Sequence, residues 1–217
     1  MNLDFLFEDV IKNKKKHNLE ATLRHPTHLR IVTTDSQTGE PVWFSSHQPG
    51  VDFHLALKAS CAVPLASRPI PVGGRLLMDG MVVEPIPLVP ALDQDYTDVL
   101  VLHTRDFGYR AKELHPLVAL LGRLDLSLPV YRRFRDEPRV FNRLTDTLEQ
   151  GSYTGNDGRV MRIACAFPTG VAAMNRFERR TDRLLDAAYS SWSSVMTMFG
   201  RDDRLDREVL TKYIALS

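Results

Sequence analysis

The chain has 217 residues, 43% of them hydrophobic and 25% charged. That is enough apolar material for a sizeable core and argues against a disordered chain. Lys and Arg number 28 against 27 Asp and Glu, a formal net charge of +1, so no global field draws in nucleic acid or an anionic surface.

Cys61 and Cys165 lie far apart in apolar settings. They suggest neither a disulfide framework nor a clustered zinc site, and both read as small buried hydrophobes. The N-terminus lacks the basic-then-apolar pattern of a signal peptide, and no apolar run approaches the ~20 residues of a membrane span. The expectation is a soluble, cytoplasmic chain. It starts abruptly inside a helical pattern, as though a longer chain had been cut there.

Taken in chain order, Leu3, Leu6, Phe7, Val10 and Ile11 have helical spacing, closed by the lysines at 12 and 14–16. Residues 29–34 and 41–44 are β-rich and flank Thr38-Gly39, which predicts a hairpin. Residues 51–62 predict a helix with Phe53, Ala56, Leu57 and Ser60 on one side, broken by Pro64. A second hairpin is predicted around Gly73-Gly74, with Asp79-Gly80 at its end. A proline-studded turn over 85–91, read as a short helix, leads to residues 98–104, a continuous apolar run typical of a strand buried on both faces.

Residues 116–125 predict a helix with Leu117, Leu120, Leu121 and Leu124. Residues 129–150 predict a basic helix with Tyr131, Phe134, Val140, Phe141, Leu144 and Leu148 as its apolar face. A polar loop over 152–159 precedes a strand over 160–167, ended by Pro168-Thr169-Gly170. Thr181 or Asp182 caps a long helix with Leu184, Leu185, Ala188, Trp192, Val195 and Phe199 on one face, ended by Gly200. A charged tail over 201–207 and a short final helix follow. Strands alternate with helices, so the class is α/β, with a soft boundary near 109–116.

The chemistry gathers around Asp79. A helix stops at a proline, a hairpin follows, and a carboxylate sits at a strand end beside a glycine that permits a tight turn. Strand ends are where α/β sheets place catalytic groups, and a carboxylate there can activate a nucleophile. Asp-Gly is also a common turn dipeptide.

Ala56, Ala59, Ser60 and Pro64, then Asp79-Gly80, then Pro85 and Pro87, occur in the order found in the C-terminal half of the patatin-like phospholipase domain, which residues 3–105 resemble. The tail, with residues 160–167 and Arg176-Phe177-Glu178-Arg179, resembles a bacterial C-terminal extension. The resemblance implies an incomplete patatin-like three-layer α/β sheet over 1–112 and a mostly helical extension over 113–217. It implies acyl-ester hydrolysis by a Ser-Asp dyad, with Asp79 as general base and Gly80 shaping its turn. Substrates would be lipid or other carboxylic esters, with contact at a membrane periphery, no nucleic acid, and neither metal nor organic cofactor.

The family's nucleophile lies in a Gly-x-Ser-x-Gly elbow upstream of the aspartate. Of the twelve glycines, only Gly151 and Gly155 stand four apart, and the residue midway is Tyr153. Gly73-Gly74 lies within a hairpin turn and is no oxyanion loop. Met81 departs from the family's preference for a small residue. The expectation is that the serine and oxyanion loop are missing and that the lone chain is inactive. A lipid-binding or interaction protein derived from the fold is the alternative.

Other candidates carry less. Cys61 with His54 or His103 as base sits at a helix end and not at an elbow. His25 and His28 flank Pro26 without an evident third ligand and read as solvated. Asp35 and Glu40 read as turn chemistry. Arg132, Arg133, Arg135 and Arg139 form a basic face that Asp136 and Glu137 can neutralise.

Overall fold

The computed structural model describes residues 2–15, 18–92, 96–155, 157–167 and 180–201. The chain forms two compact units. One comprises Met1–Ile86 with Ala111–Phe141, the other Pro87–Arg110 with Asn142–Ser217.

In the first unit both predicted hairpins form. β1 (Arg30–Asp35) pairs antiparallel with β2 (Pro41–Ser45), and β3 (Ile70–Val72) with β4 (Arg75–Asp79). Gly73 and Gly74 both take positive φ, +56° and +79°, as a two-residue hairpin turn requires. β1 also pairs antiparallel with β4, giving the order β2-β1-β4-β3.

Side chains alternate across this sheet, so its two faces have separate cores. Leu77, Ile31, Phe44 and Val72 pack with Phe53, Ala56 and Ala59 of α2 (Phe53–Ala59) on one face. Met78 packs on the other with Val82, Val130 and Phe134, joined by Leu114, Val118 and Leu126. A mixed α/β sheet with helices on both sides results. The helix expected over 51–62 is shorter, because the chain turns at Ser60 and Cys61 before reaching Pro64. A short helix not read from the sequence, α1 (Leu19–Arg24), precedes β1, capped by the Asn18 side chain.

Several expectations are corrected. The first helix, Phe5–Lys14, has π-type winding. This buries Leu3 and Phe7 against Ala62 while Phe5 and Leu6 remain exposed. The short helix expected over 85–91 is a single turn, α3 (Val89–Leu92). α4 (Pro116–Asp125) has the predicted bounds but the opposite orientation. Val118, Gly122 and Leu126 face the core, with an added Gly122 Cβ 3.5 Å from Phe134, and the four leucines face out. α5 (Leu128–Gln150) contains Pro138, and its Val130 and Thr145 side chains are fully buried.

In the second unit β5 (Asp98–Leu102) pairs parallel with β7 (Val160–Ala166), and β7 pairs antiparallel with β6 (Ser152–Thr154). The loop expected over 152–159 therefore begins as a strand. Among the described residues β5 is an edge strand, and it is not buried on both faces; Leu100 and Leu102 are exposed. α6 (Thr181–Met198) starts from Arg180, without a side-chain cap from Thr181 or Asp182, and no described residue of it is buried. The turn at 168–170, the segment at 176–179 and the tail beyond 201 lie outside the described residues.

Candidate functional site

Asp79 ends β4 opposite Thr33 of β1. Its Oδ1 accepts the Met81 N–H at 2.9 Å and caps a single 3₁₀ turn, Gly80–Val82. Its backbone N–H donates to the Ala62 carbonyl at 3.0 Å, and its carbonyl accepts the buried Thr34 hydroxyl at 2.8 Å. The aspartate is thereby tied to β1 on one side and to the end of α2 on the other.

Gly80 is required by close approach. A Cβ there would stand 2.7 Å from Val32 Cγ1 and 2.8 Å from the Val32 carbonyl carbon, nearer than side-chain carbons pack. The same Val32 carbonyl accepts the Ser60 hydroxyl at 2.9 Å. Ala56 and Ala59 are fully buried against the sheet; their small side chains let α2 lie close enough for Ser60 to reach β1. Met81, the departure from the resemblance, packs half-buried against the Met78, Val82, Val130 and Phe134 cluster.

Cys61 adjoins this turn. Burial and the neighbouring Asp79 charge push its thiol above the ordinary value, which disfavours the nucleophilic thiolate. No hydrogen bond joins it to His54 or His103 among the described residues. His54 stacks edge-on against Phe7 at 5.5 Å, and the His103 Nδ1 accepts the Arg105 N–H. The Cys61 reading is thus not supported. Burial pushes Cys165 up to about 11.

Two other carboxylates flank the site in sequence. Glu84 is half-buried, and burial raises its pKa against the opposing pull of Arg133. Asp35 accepts the backbone N–H groups of Gln37 and Thr38 at 2.9 and 3.0 Å, the turn chemistry expected of it. Burial acts to raise its pKa, yet these bonds, the Thr38 hydroxyl and Arg75 together hold it below the usual carboxylate value.

In the basic stretch of α5, Arg133 pairs with Glu40, Arg135 with Asp136 and Arg139 with Glu113. Among the described residues no three His, Cys, Asp or Glu side chains converge on a metal position. The sequence did not reveal that His47 meets His28, with ring centroids 4.0 Å apart.

Asp79 is thus a carboxylate fixed at a strand end by its own turn, with its supports inside one α/β unit. Residues 2–92 match the profile of the patatin-like phospholipases, and this segment, which contains Asp79, Gly80 and Ser60, is similar to that family. Relatives are uncharacterized NTE family proteins of Mycobacterium bovis and of two strains of Mycobacterium tuberculosis. Each is 35% identical over 95 residues, 43% of this chain and 25% of the relative. The chain thus spans about a quarter of the length of the curated relatives it matches.

Proposed function

We propose that the chain carries the dyad aspartate of a patatin-like lipid acyl hydrolase, with Asp79 as general base and lipid or other carboxylic esters as substrates. The observation that carries this reading is the Asp79 turn itself, held by Gly80 against β1 within the family segment. In such a dyad the aspartate takes the serine proton as the serine oxygen attacks the ester carbonyl, and returns it to the leaving alcohol. The 217 residues contain no Gly-x-Ser-x-Gly, so this chain on its own does not hydrolyse esters. In evolutionary terms residues 1–112 are the patatin-like part and 113–217 the extension, a division distinct from the compact units.

The test is p-nitrophenyl ester hydrolysis by the chain alone and by a form extended at its N-terminus with an elbow-bearing segment of a patatin-like phospholipase. Background rates for the chain, and an activity of the extended form abolished by Asp79→Asn, are expected. Activity of either form that survives Asp79→Asn overturns the assignment.

A second reading, lipid binding without catalysis, draws on α4. Leu117, Leu120, Leu121 and Leu124 are 57%, 55%, 48% and 75% exposed, an apolar stripe pointing away from the core. Lys112 and Arg123, beside and within the helix, have no carboxylate partner among the described residues. An outward leucine stripe with flanking cations suits an anionic bilayer surface, and we assign that surface as its occupant, in a cytoplasmic, membrane-peripheral protein. No described helix is long and apolar enough to cross a membrane. Flotation with equimolar phosphatidylglycerol and phosphatidylcholine vesicles tests this reading. Binding lost in Leu120→Ser/Leu124→Ser supports it, and equal binding by the variant refutes it.

A further inference from the structure

The pairing of β1 with β2 brings Arg30 opposite Ser45. One step outward, the Leu29 N–H donates to the Ser46 hydroxyl and the Ser46 N–H to the Leu29 carbonyl, at 3.1 and 2.8 Å. The next step sets His28 against His47, although 19 positions separate them in sequence. The His28 Nε2 and His47 Nδ1 lie 3.1 Å apart.

The far nitrogens govern what the near ones can do. The His47 Nε2 lies 2.7 Å from the His25 carbonyl oxygen, which can only accept, so that nitrogen carries the proton. In the neutral ring Nδ1 then presents a lone pair toward His28. The His28 Nδ1 lies 3.5 Å from the Ser45 hydroxyl, an oxygen able to accept from it. With a proton on that side, the His28 Nε2 also presents a lone pair. Two lone pairs then face each other, and a cation between them satisfies both.

We propose that His28 Nε2 and His47 Nδ1 form a two-imidazole site for a first-row divalent transition-metal ion such as Zn²⁺ or Cu²⁺. Imidazole suits these ions. With metal–nitrogen bonds of about 2.0–2.1 Å, the 3.1 Å separation subtends roughly 100° at the metal, between octahedral and tetrahedral angles. Oxygen partners on the outer nitrogens are the arrangement that fixes the tautomer of ligating histidines. Both rings are exposed, and His25 and His28 line a cleft of about 450 Å³ with Thr27 and Leu29. Water can therefore complete the coordination sphere that no third protein ligand fills. In the other His28 tautomer its Nε2–H donates to His47 Nδ1 across the same 3.1 Å, and the ion takes the place of that hydrogen bond. α1 buries no residue, and the metal would pin the segment after it to the end of β2.

The test is isothermal titration of the full chain with ZnCl₂ at pH 7.5, with Cu²⁺ electron paramagnetic resonance to count nitrogen ligands. One ion per chain with two nitrogens is expected. His28→Ala and His47→Ala should each weaken binding about tenfold or more, while His25→Ala, which keeps its carbonyl, leaves it unchanged. ¹⁵N spectra of the imidazoles report the same two rings directly and verify that each variant is folded. Binding with a single nitrogen, or binding equal in wild type, His28→Ala and His47→Ala, is adventitious surface coordination and overturns the site.

Discussion

Gly80→Ala isolates the contact that shapes the Asp79 turn. Gly80 has no left-handed backbone angle, so alanine carries no conformational penalty there. In open space the replacement would stabilise the fold by ~0.4–1 kcal/mol through the unfolded chain. The structure predicts the opposite sign. The new methyl would lie 2.7 Å from Val32 Cγ1 and 2.8 Å from the Val32 carbonyl carbon, against an ordinary separation of about 3.5–4.0 Å. Relief requires the turn and β1 to part by roughly an ångström. That movement strains the Ser60 bond to Val32 and the Thr34 bond to Asp79, at 2.9 and 2.8 Å. Overpacking of about 1–3 kcal/mol and one weakened hydrogen bond of about 1 kcal/mol give a loss of about 2–4 kcal/mol. Urea unfolding of a Trp192→Phe background, which leaves Trp43 of β2 as the reporter, measures it. Gly74→Ala is the control: its added Cβ meets nothing within 4 Å but its φ is +79°, so it costs about 1–2 kcal/mol without touching Asp79. A neutral or stabilising Gly80→Ala refutes the close-approach argument.

The carboxylates give opposite pH signatures. Asp35 has a depressed folded pKa, so its stabilisation is present above the unfolded value of about 3.9 and is lost as pH falls through the folded value. Asp35→Ala should cost about 2 kcal/mol at pH 7, a deficit that shrinks in urea melts toward pH 3. Glu84 has a raised folded pKa, so its contribution is complete below about 4.3 and is lost as pH rises through the folded value. Glu84→Gln should stabilise at pH 7 and be neutral at pH 4; destabilisation at pH 7 would contradict its burial. Leu120→Ser/Leu124→Ser should leave stability within about 0.5 kcal/mol, as at exposed positions, and a drop above 2 kcal/mol in the same melts would place that face in a core.

Hairpins and helix bounds were legible where local chemistry decides them. Gly73-Gly74 and Thr38-Gly39 marked the turns, and Pro116 with Asp125 marked α4. What faces what was not legible. The leucine spacing of α4 shows an apolar stripe but not its direction. In the structure the inward side is the one that holds Val118 and Gly122, the latter facing Phe134 and Tyr131 of α5. The apolar run at 98–104 cannot reveal that, among the described residues, β5 stands at a sheet edge beside β7. The π winding of the first helix, which puts Leu3 and Phe7 inward, has no signature in a spacing common to both helix types. The meeting of His28 and His47 depends on strand register, which hydrophobic pattern fixes only once the hairpin is known.

The residues that carried the family resemblance acquire a shared physical purpose in the structure. Ser60 donates to the Val32 carbonyl, Gly80 leaves room for that same carbonyl, and Thr34, two positions along β1, holds the Asp79 carbonyl. Ala56 and Ala59 bring α2 near enough for the first of these contacts. None of these five side chains needs to touch a substrate to matter. Together they index the end of β4, and with it Asp79, against β1. All of these supports come from residues 32–81, so the position of the carboxylate is set within the segment that matches the family.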